Sequence, residues 1–580
     1  MHTLLKTAFT TGTCCLLAFG LLACAAATPQ PDTASIAESS SSVIVQGPDL
    51  DTVKRLVVEV GGTVTHELAI IHAVGAQLTA TQQGRLMALA SDLKIYVDGT
   101  VETSGRGNDK TGDTVLLDDD NGTDPYTGNE WLWEPTVQTT PAAMLQADVL
   151  HQEGITGLGV TVAVLDTGLH DFAPVMYRDG QPRVLGHYNA TRNKVWNNPL
   201  RHSDGNGHGG HVNGLIVNRE VHGPTGTFYG LAPGADLVVV KAFDDQGQGT
   251  YSDVIAGIDW IVNNKDAYGI GVLNLSFSAP PRSHYWDDPL NQAVMAAWQA
   301  GIVVVASAGN LGPDPMTIGV PGNVPYVITV GAMTDNYTPD DASDDLLASF
   351  SSAGPTFEAF VKPEIVAPGG HVVSSMGWWT TIAEEHHEFH NGGDYFVMSG
   401  TSQAAAIVSG VAALLLEADP SLTPDDVKCR LMASGRPAID PEGALAYSIV
   451  QQGTGLVNAY DAVYSTASGC ANQGLDIDLD LAGVEHYAGL ARQADDGTYH
   501  ILGPDGFVWS DGFVWSDGFV WSDGFVWSDG FVWSDGFVWS DGFVWSDGFV
   551  WSDGFVWSDG FVWSDALAEP ASINVWVEQE

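Results

Sequence analysis

Val162-Ala163-Val164-Leu165-Asp166-Thr167-Gly168 opens with four apolar residues and closes on an acid and a glycine turn. A short apolar run bounded by turn residues fits a strand buried on both faces. Similar runs recur at Ala235 to Val240, Val272 to Leu275, Ile302 to Ala306 and Tyr326 to Val330. Longer helix-like runs, such as Ser252 to Asn263 and Leu290 to Ala300, lie between them. The alternation predicts an α/β domain over residues 142–470, with a doubly wound, mostly parallel sheet and helices on both faces. In such a sheet the carboxyl ends of the strands gather the ligands. Asp166 sits at one of those ends, although an acid there can equally cap a turn.

Three further stretches carry chemistry-bearing residues in glycine turns. Asn206-Gly207-His208-Gly209-Gly210-His211 exposes an imidazole at a helix start. His208 and His211 are three apart, so a metal pair is the alternative, but no third ligand stands at a motif-like spacing. Val303-Val304-Val305-Ala306-Ser307-Ala308-Gly309-Asn310 is a buried strand running into a side-chain amide. An amide donor there can stabilise an oxyanion, or Asn310 is a plain turn residue. Ser399-Gly400-Thr401-Ser402-Gln403-Ala404-Ala405-Ala406 leads into a strongly helical run through Leu416. Ser402 would stand at a helix N-terminus, where backbone N–H groups favour a developing anion, or it would serve only as an N-cap.

Each stretch alone has a bland reading, but the chain order Asp…His…Asn…Ser resembles the subtilisin family. Phe350-Ser351-Ser352-Ala353-Gly354-Pro355 and Lys362-Pro363-Glu364-Ile365-Val366-Ala367-Pro368-Gly369 match further segments habitual there. The resemblance implies an exported serine endopeptidase in which Ser402 attacks the peptide carbonyl. His208 would move the proton, Asp166 would hold the imidazole, and Asn310 would serve the oxyanion. It also implies that Gly247-Gln248-Gly249 and Ser276-Phe277-Ser278 pair with the substrate backbone. The primary pocket would lie among Ser276 to Ser278, Ala306, Ser307, Ala308 and Gly319. A small floor residue, with Leu311 at the rim, leads to an expected preference for Phe, Tyr, Leu or Met before the scissile bond. The chemistry requires no cofactor. Structural calcium is usual in the family, but no loop here names its ligands. Three positions depart from the family pattern: Gly210 where Thr is usual, Gln403 for Met and Ala406 for Pro.

Ahead of this domain, residues 43–104 show a β-α-β-β-α-β order. It resembles the ferredoxin-like inhibitory propeptide of subtilisin relatives, which occupies the cleft until it is cut away. A polar stretch, 105–141, reads as a linker. The first 24 residues carry Lys6 and a short apolar run that ends at Cys24. The run suits a signal peptide, too short for a permanent span. Leu21-Leu22-Ala23-Cys24 resembles a bacterial lipobox, with 25–42 as a tether. That places the protein in the cell envelope on a lipid anchor, or secreted if the leader is cut nearby. Of five cysteines only Cys429 and Cys470 lie in the body; they can form a disulfide outside the cytoplasm or remain free thiols.

Acidic residues number 71 against 21 basic ones, a net charge of −50. That balance repels nucleic acid and anionic lipid surfaces, whereas protein or peptide substrates, with the chain's own propeptide as inhibitor, are the partners that the resemblance implies. After an acidic linker over 471–504 come ten copies of Asp-Gly-Phe-Val-Trp-Ser, residues 505–564, and a tail, 565–580. The even period puts Asp, Phe and Trp on one strand face. A meander, a solenoid and a structureless tract all fit that pattern, with surface attachment, self-association or glycan binding as roles.

Overall fold

The computed structural model describes residues 38–103 and 140–501, except 224–225, 339–341, 343, 440–444, 495–496 and 498, with three strand segments between 525 and 539. The leader with Cys24, residues 25–37 of the tether, the linker up to 139 and nearly all of the repeats and tail lie outside them.

The N-terminal unit is a four-stranded sheet built from β1 (Ser40–Gln46), α1 (Leu50–Glu59), β2 (Thr63–Leu68), β3 (Ala73–Thr79), α2 (Ala80–Leu89) and β4 (Lys94–Val97). The sheet order is β2-β3-β1-β4, with each pair antiparallel. The first strand begins at Ser40, so the tether ends sooner than the sequence suggested. Asp49 caps α1 by accepting from the Thr52 amide at 2.8 Å, and Thr79 with Gln82 forms a capping box for α2. Val43, Val45, Val53, Val57, Val74 and Leu78 fill a core of its own. A fifth strand, β5 (Thr100–Glu102), leaves the sheet and runs into the larger domain.

That domain centres on β6 (Thr161–Asp166), whose six residues are all buried. Around it lie β7 (Val184–Asn189), β8 (Asp236–Lys241), β9 (Gln248–Thr250), β10 (Ile270–Leu275), β11 (Val303–Ser307), β12 (Ile328–Thr334) and β13 (Ile365–Pro368). The parallel order is β7-β8-β6-β10-β11-β12-β13, with β9 outside the sheet. Short antiparallel pairs at Lys194–Val195 and Leu346–Leu347 complete nine strands. The order in which strands are added reverses at β6, so the carboxyl ends of β6 and β10 flank a crevice.

The helices that serve the site are α3 (His208–Val217), α4 (Tyr251–Asn263), α5 (Pro289–Gln299), α6 (Thr381–Glu385) and α7 (Thr401–Ala418). Every residue of α3 is buried, as is α7 through Leu415. Helix α7 packs on β10, β11 and β12 and against α3, which explains its largely apolar composition.

The N-terminal unit docks on α4 and α5 through specific polar contacts. Gln46 Nε2 donates to Gln292 Oε1 at 2.6 Å, and Lys94 pairs with Asp287 at 2.7 Å. The Ser252 amide donates to Asp98 at 2.9 Å, and the Ala69 amide to Asp259 at 3.2 Å.

The stretch taken as an acidic linker, 471–504, differs from that expectation. Residues 471–494 pack on the domain through α8 (Ile477–Leu481), with Leu475, Ile477 and Leu481 against the main core. Three aspartates in eleven residues hid a helix too short for its periodicity to be read. Cys429 and Cys470 are joined in a disulfide, their Cα atoms 5.2 Å apart. Within the repeats, Phe525–Trp527, Phe531–Ser534 and Val538–Trp539 pair as successive antiparallel strands.

Candidate active site

The site assembles where β6, β10 and β11 end. Asp166 is the last residue of β6, and the next amide, Thr167, donates to its Oδ1 at 2.7 Å. His208 opens α3. Its Nδ1–H donates to the Asp166 carboxylate, 2.7 Å from Oδ1 and 2.9 Å from Oδ2, in a place closed to water. With the proton on Nδ1, Nε2 is the basic nitrogen; it is buried and has no hydrogen-bond partner.

Glycines let these turns approach one another. Gly207 has φ +110°, and a Cβ there would meet Thr380 Oγ1 at 2.6 Å. A Cβ on Gly209 would meet the backbone of Gly168 at 2.7 Å, so only glycine lets α3 start against the Asp166 turn.

Between the turns lies Asp204, fully buried. Its Oδ1 accepts from Thr167 Oγ1 at 2.8 Å, the Gly207 amide at 2.8 Å and the Asn206 amide at 3.2 Å; its Oδ2 accepts from the Gly210 amide at 2.6 Å. Sequence reasoning passed over this residue, although its place four before His208 in a glycine-rich turn was the available signal. The departure at Gly210 has a cause in the same neighbourhood. A Cβ there would meet the His170 Cβ at 2.7 Å, so His170 fills the volume a threonine would need.

Ser402 is the second residue of α7, after Gly400 at φ +155°. Its hydroxyl donates to the carbonyl of Ser276 at 3.2 Å rather than to His208, and Ser276 Oγ donates back to the Ser402 carbonyl at 2.8 Å. Asn310, beyond the end of β11, accepts on Oδ1 from the Thr401 amide at 3.0 Å and the Thr401 hydroxyl at 2.9 Å. Those bonds fix the amide, leaving Nδ2 as a buried donor without a partner beside Ser402. A preorganised, unpaired N–H at a helix N-terminus can stabilise a developing oxyanion. Ala406 is buried in α7, and the Gln403 side chain is buried with neither polar atom bonded.

The two proposed substrate segments face each other with a strand between them. In β5, Thr100, Val101 and Glu102 pair antiparallel with Thr250, Gly249 and Gln248 of β9. The Thr103 amide donates to the Gly247 carbonyl at 2.8 Å, and Glu102 bridges to Ser278 on the other side. Val101 and Thr103 are fully buried there. Ser307 Oγ donates to the Phe277 carbonyl at 2.9 Å, and the Gly319 amide donates to the Ala308 carbonyl at 3.1 Å. Ala306 and Ala308 are buried in the same wall.

A His208–His211 metal pair does not form: His208 Nδ1 is taken by Asp166, and His211 Nε2 lies 3.2 Å from the Phe396 carbonyl. Burial, with His208 alongside, pushes His211 down to about 3, so it stays neutral. Among the described residues no three His, Cys, Asp or Glu side chains gather as a metal site, and none is assigned to calcium.

The subtilase family model matches residues 157–456. Serine protease AprX of Bacillus subtilis is 39% identical over 329 residues, 56% of this chain and 70% of that protein. Subtilisin DY of Bacillus licheniformis is 33% identical over 301 residues, 51% of this chain and 92% of that protein. Among solved structures, fervidolysin of Fervidobacterium pennivorans, a keratinolytic enzyme related to subtilisin, covers 81% of this chain and 68% of its own. Its TM-score of 0.56 at 24% identity is a likeness of fold. The family match spans all four turns that meet in the crevice, and on it the chain belongs to the subtilase family and is a subtilisin-like serine endopeptidase.

Proposed function

We propose that Ser402 is the nucleophile, His208 the general base and acid, Asp166 the residue that orients the imidazole, and Asn310 the oxyanion donor. The observation that carries this reading is the buried Asp166–His208 hydrogen bond, which leaves Nε2 basic and unpaired. Rotation of the Ser402 hydroxyl away from Ser276 would give its proton to Nε2 as Oγ attacks the carbonyl carbon. The tetrahedral oxygen would then take the Asn310 Nδ2–H, in addition to N–H groups at the start of α7. His208 would pass the proton to the leaving amine, and water would repeat the steps in reverse order to free the acid. One oxyanion donor of this kind is worth about 3 kcal/mol.

In the same reading the N-terminal unit is an inhibitor. Its last strand, β5, takes up the backbone hydrogen bonds a substrate would make with Gly247–Gly249 and Ser276–Ser278. Maturation cuts the chain within residues 98–140, which frees the cleft from β5. Export through the N-terminal leader, with Cys24 as a lipid attachment, agrees with the disulfide, which belongs to an oxidising compartment.

A fluorophosphonate probe on the full chain tests the assignment. Wild type should label on Ser402 and lose the N-terminal unit, with a new N-terminus within residues 98–140. Ser402→Ala should neither label nor mature. Labelling of the Ala variant, or none of the wild type after the N-terminal unit is removed, would overturn it.

A further inference from the structure

Small residues line the wall where the side chain before the scissile bond must go, and that alone suggests a deep slot for Phe, Tyr, Leu or Met. The Ser278 side chain changes this. A Cβ built on Gly319, across the pocket, would collide with Ser278 Oγ, and one on Gly309 would meet it at 3.0 Å. Both glycines thus face the same hydroxyl, which stands in the space between the two walls. Ser278 is nearly buried in the full chain, and the hold on its backbone that survives loss of β5 comes from the next residue. There the Ala279 amide donates to the Val320 carbonyl at 2.9 Å, and the Val320 amide donates to the Ala279 carbonyl at 2.7 Å. Its side chain cannot be displaced by a sliding of the strand.

We propose that Ser278 is a specificity-determining residue that shortens the primary pocket, so that the enzyme selects Ala, Ser or Gly before the scissile bond. The inference rests on the endopeptidase reading above and deepens it. An aromatic ring would have to expel the hydroxyl or remain half out of the pocket. A misfit of one such group in a closed pocket is worth on the order of tenfold or more in kcat/KM.

The test uses matured protein and tetrapeptide p-nitroanilides that differ only in the last residue: Ala, Ser, Leu or Phe. Wild type should cleave after Ala and Ser with kcat/KM at least about tenfold above Phe. Ser278→Gly should raise the Phe-to-Ala ratio by at least about tenfold. Wild type that favours Phe overturns the inference, as does a ratio that Ser278→Gly leaves unmoved. If the glycine variant does not fold, the wild-type ranking decides alone. Fluorophosphonate labelling on the same sample separates the two readings. A labelled enzyme with the wrong ranking overturns the pocket inference only, whereas no labelling and no hydrolysis of any peptide overturns the peptidase assignment.

Discussion

The Asp204 carboxylate accepts four hydrogen bonds in a place closed to water, and their donors come from both the Asp166 turn and the His208 turn. Thr167 follows Asp166 directly, while Asn206, Gly207 and Gly210 surround His208. A carboxylate is acceptor-only, so all four N–H and O–H groups can point at it; a side-chain amide offers one oxygen and one N–H pair. In Asp204→Asn, therefore, the Gly210 amide would face a donor in place of Oδ2. An unsatisfied buried donor costs about 1–3 kcal/mol. The strain falls on the turn that aims His208, so kcat should drop roughly 10- to 100-fold with little change in KM. Steady-state hydrolysis of one good peptide measures it, and a variant with wild-type kcat would show that Asp204 does not position the imidazole. Ser278 teaches a related lesson at the same scale. Sequence could place it on the expected pocket wall, but only the folded chain shows its hydroxyl lying between Gly309 and Gly319.

At the scale of elements, α5 begins at Asp288, whose Oδ1 accepts from the Leu290 amide at 2.9 Å and the Asn291 amide at 3.2 Å. The cap is buried, and burial pushes its carboxyl up to about 6 from 3.8. A folded-state value above the unfolded one means that the folded protein holds the proton more tightly. The ionised cap then costs stability, fully above about pH 6 and not at all below about pH 4. Asp288→Asn retains a capping oxygen and cannot ionise, and the Tyr251 hydroxyl, 3.3 Å from Oδ2, can accept from the new amide. The variant should be more stable than its parent at pH 7 by up to about 3 kcal/mol, with the gain vanishing near pH 4. Urea unfolding in a Ser402→Ala background, which prevents self-digestion, reads the difference. A gain independent of pH would contradict the burial argument.

The elements were legible where the chain repeats a period long enough to see. The strand runs 161–166, 236–241 and 303–307 and the helices from Tyr251 and Pro289 fall within one or two residues of the sequence reading. What escaped was short or non-local. Helix α8 has five residues, less than two turns, and its charged composition masked Leu475, Ile477 and Leu481. Asp204 and His170 matter through contacts that join separate turns, and a linear pattern holds no record of those.

For the whole molecule, the packed C-terminal stretch decides where the enzyme can be truncated. Asp480 is buried and accepts from Tyr285 Oη at 2.7 Å and Tyr326 Oη at 3.0 Å, while His486 Nδ1 lies 2.7 Å from its other oxygen. The Gly489 amide donates to the Glu358 carbonyl at 2.7 Å and the Ala491 amide to the Ala359 carbonyl at 3.0 Å. Asn472 reaches the Tyr326 carbonyl at 3.1 Å and accepts from Lys428 Nζ at 3.0 Å. Ending the chain after Cys470 removes all of this. It strands two tyrosine hydroxyls, at about 1–3 kcal/mol each, and opens the core surface covered by Leu475, Ile477 and Leu481. It also loosens the support of α5, which carries Gln292, a docking residue for the N-terminal unit. Ending the chain after Pro504 instead removes the ten repeats and leaves every one of these contacts in place. The shorter truncation should keep the parent's melting temperature and peptide hydrolysis. The longer one should melt at least several degrees lower and mature poorly. Calorimetry of both in the Ser402→Ala form, with N-terminal sequencing of the active forms, tests the contrast. Equal melting temperatures would mean that residues 471–494 contribute no stability, and a loss of hydrolysis on removing only the repeats would tie the Trp-bearing copies to catalysis rather than to attachment.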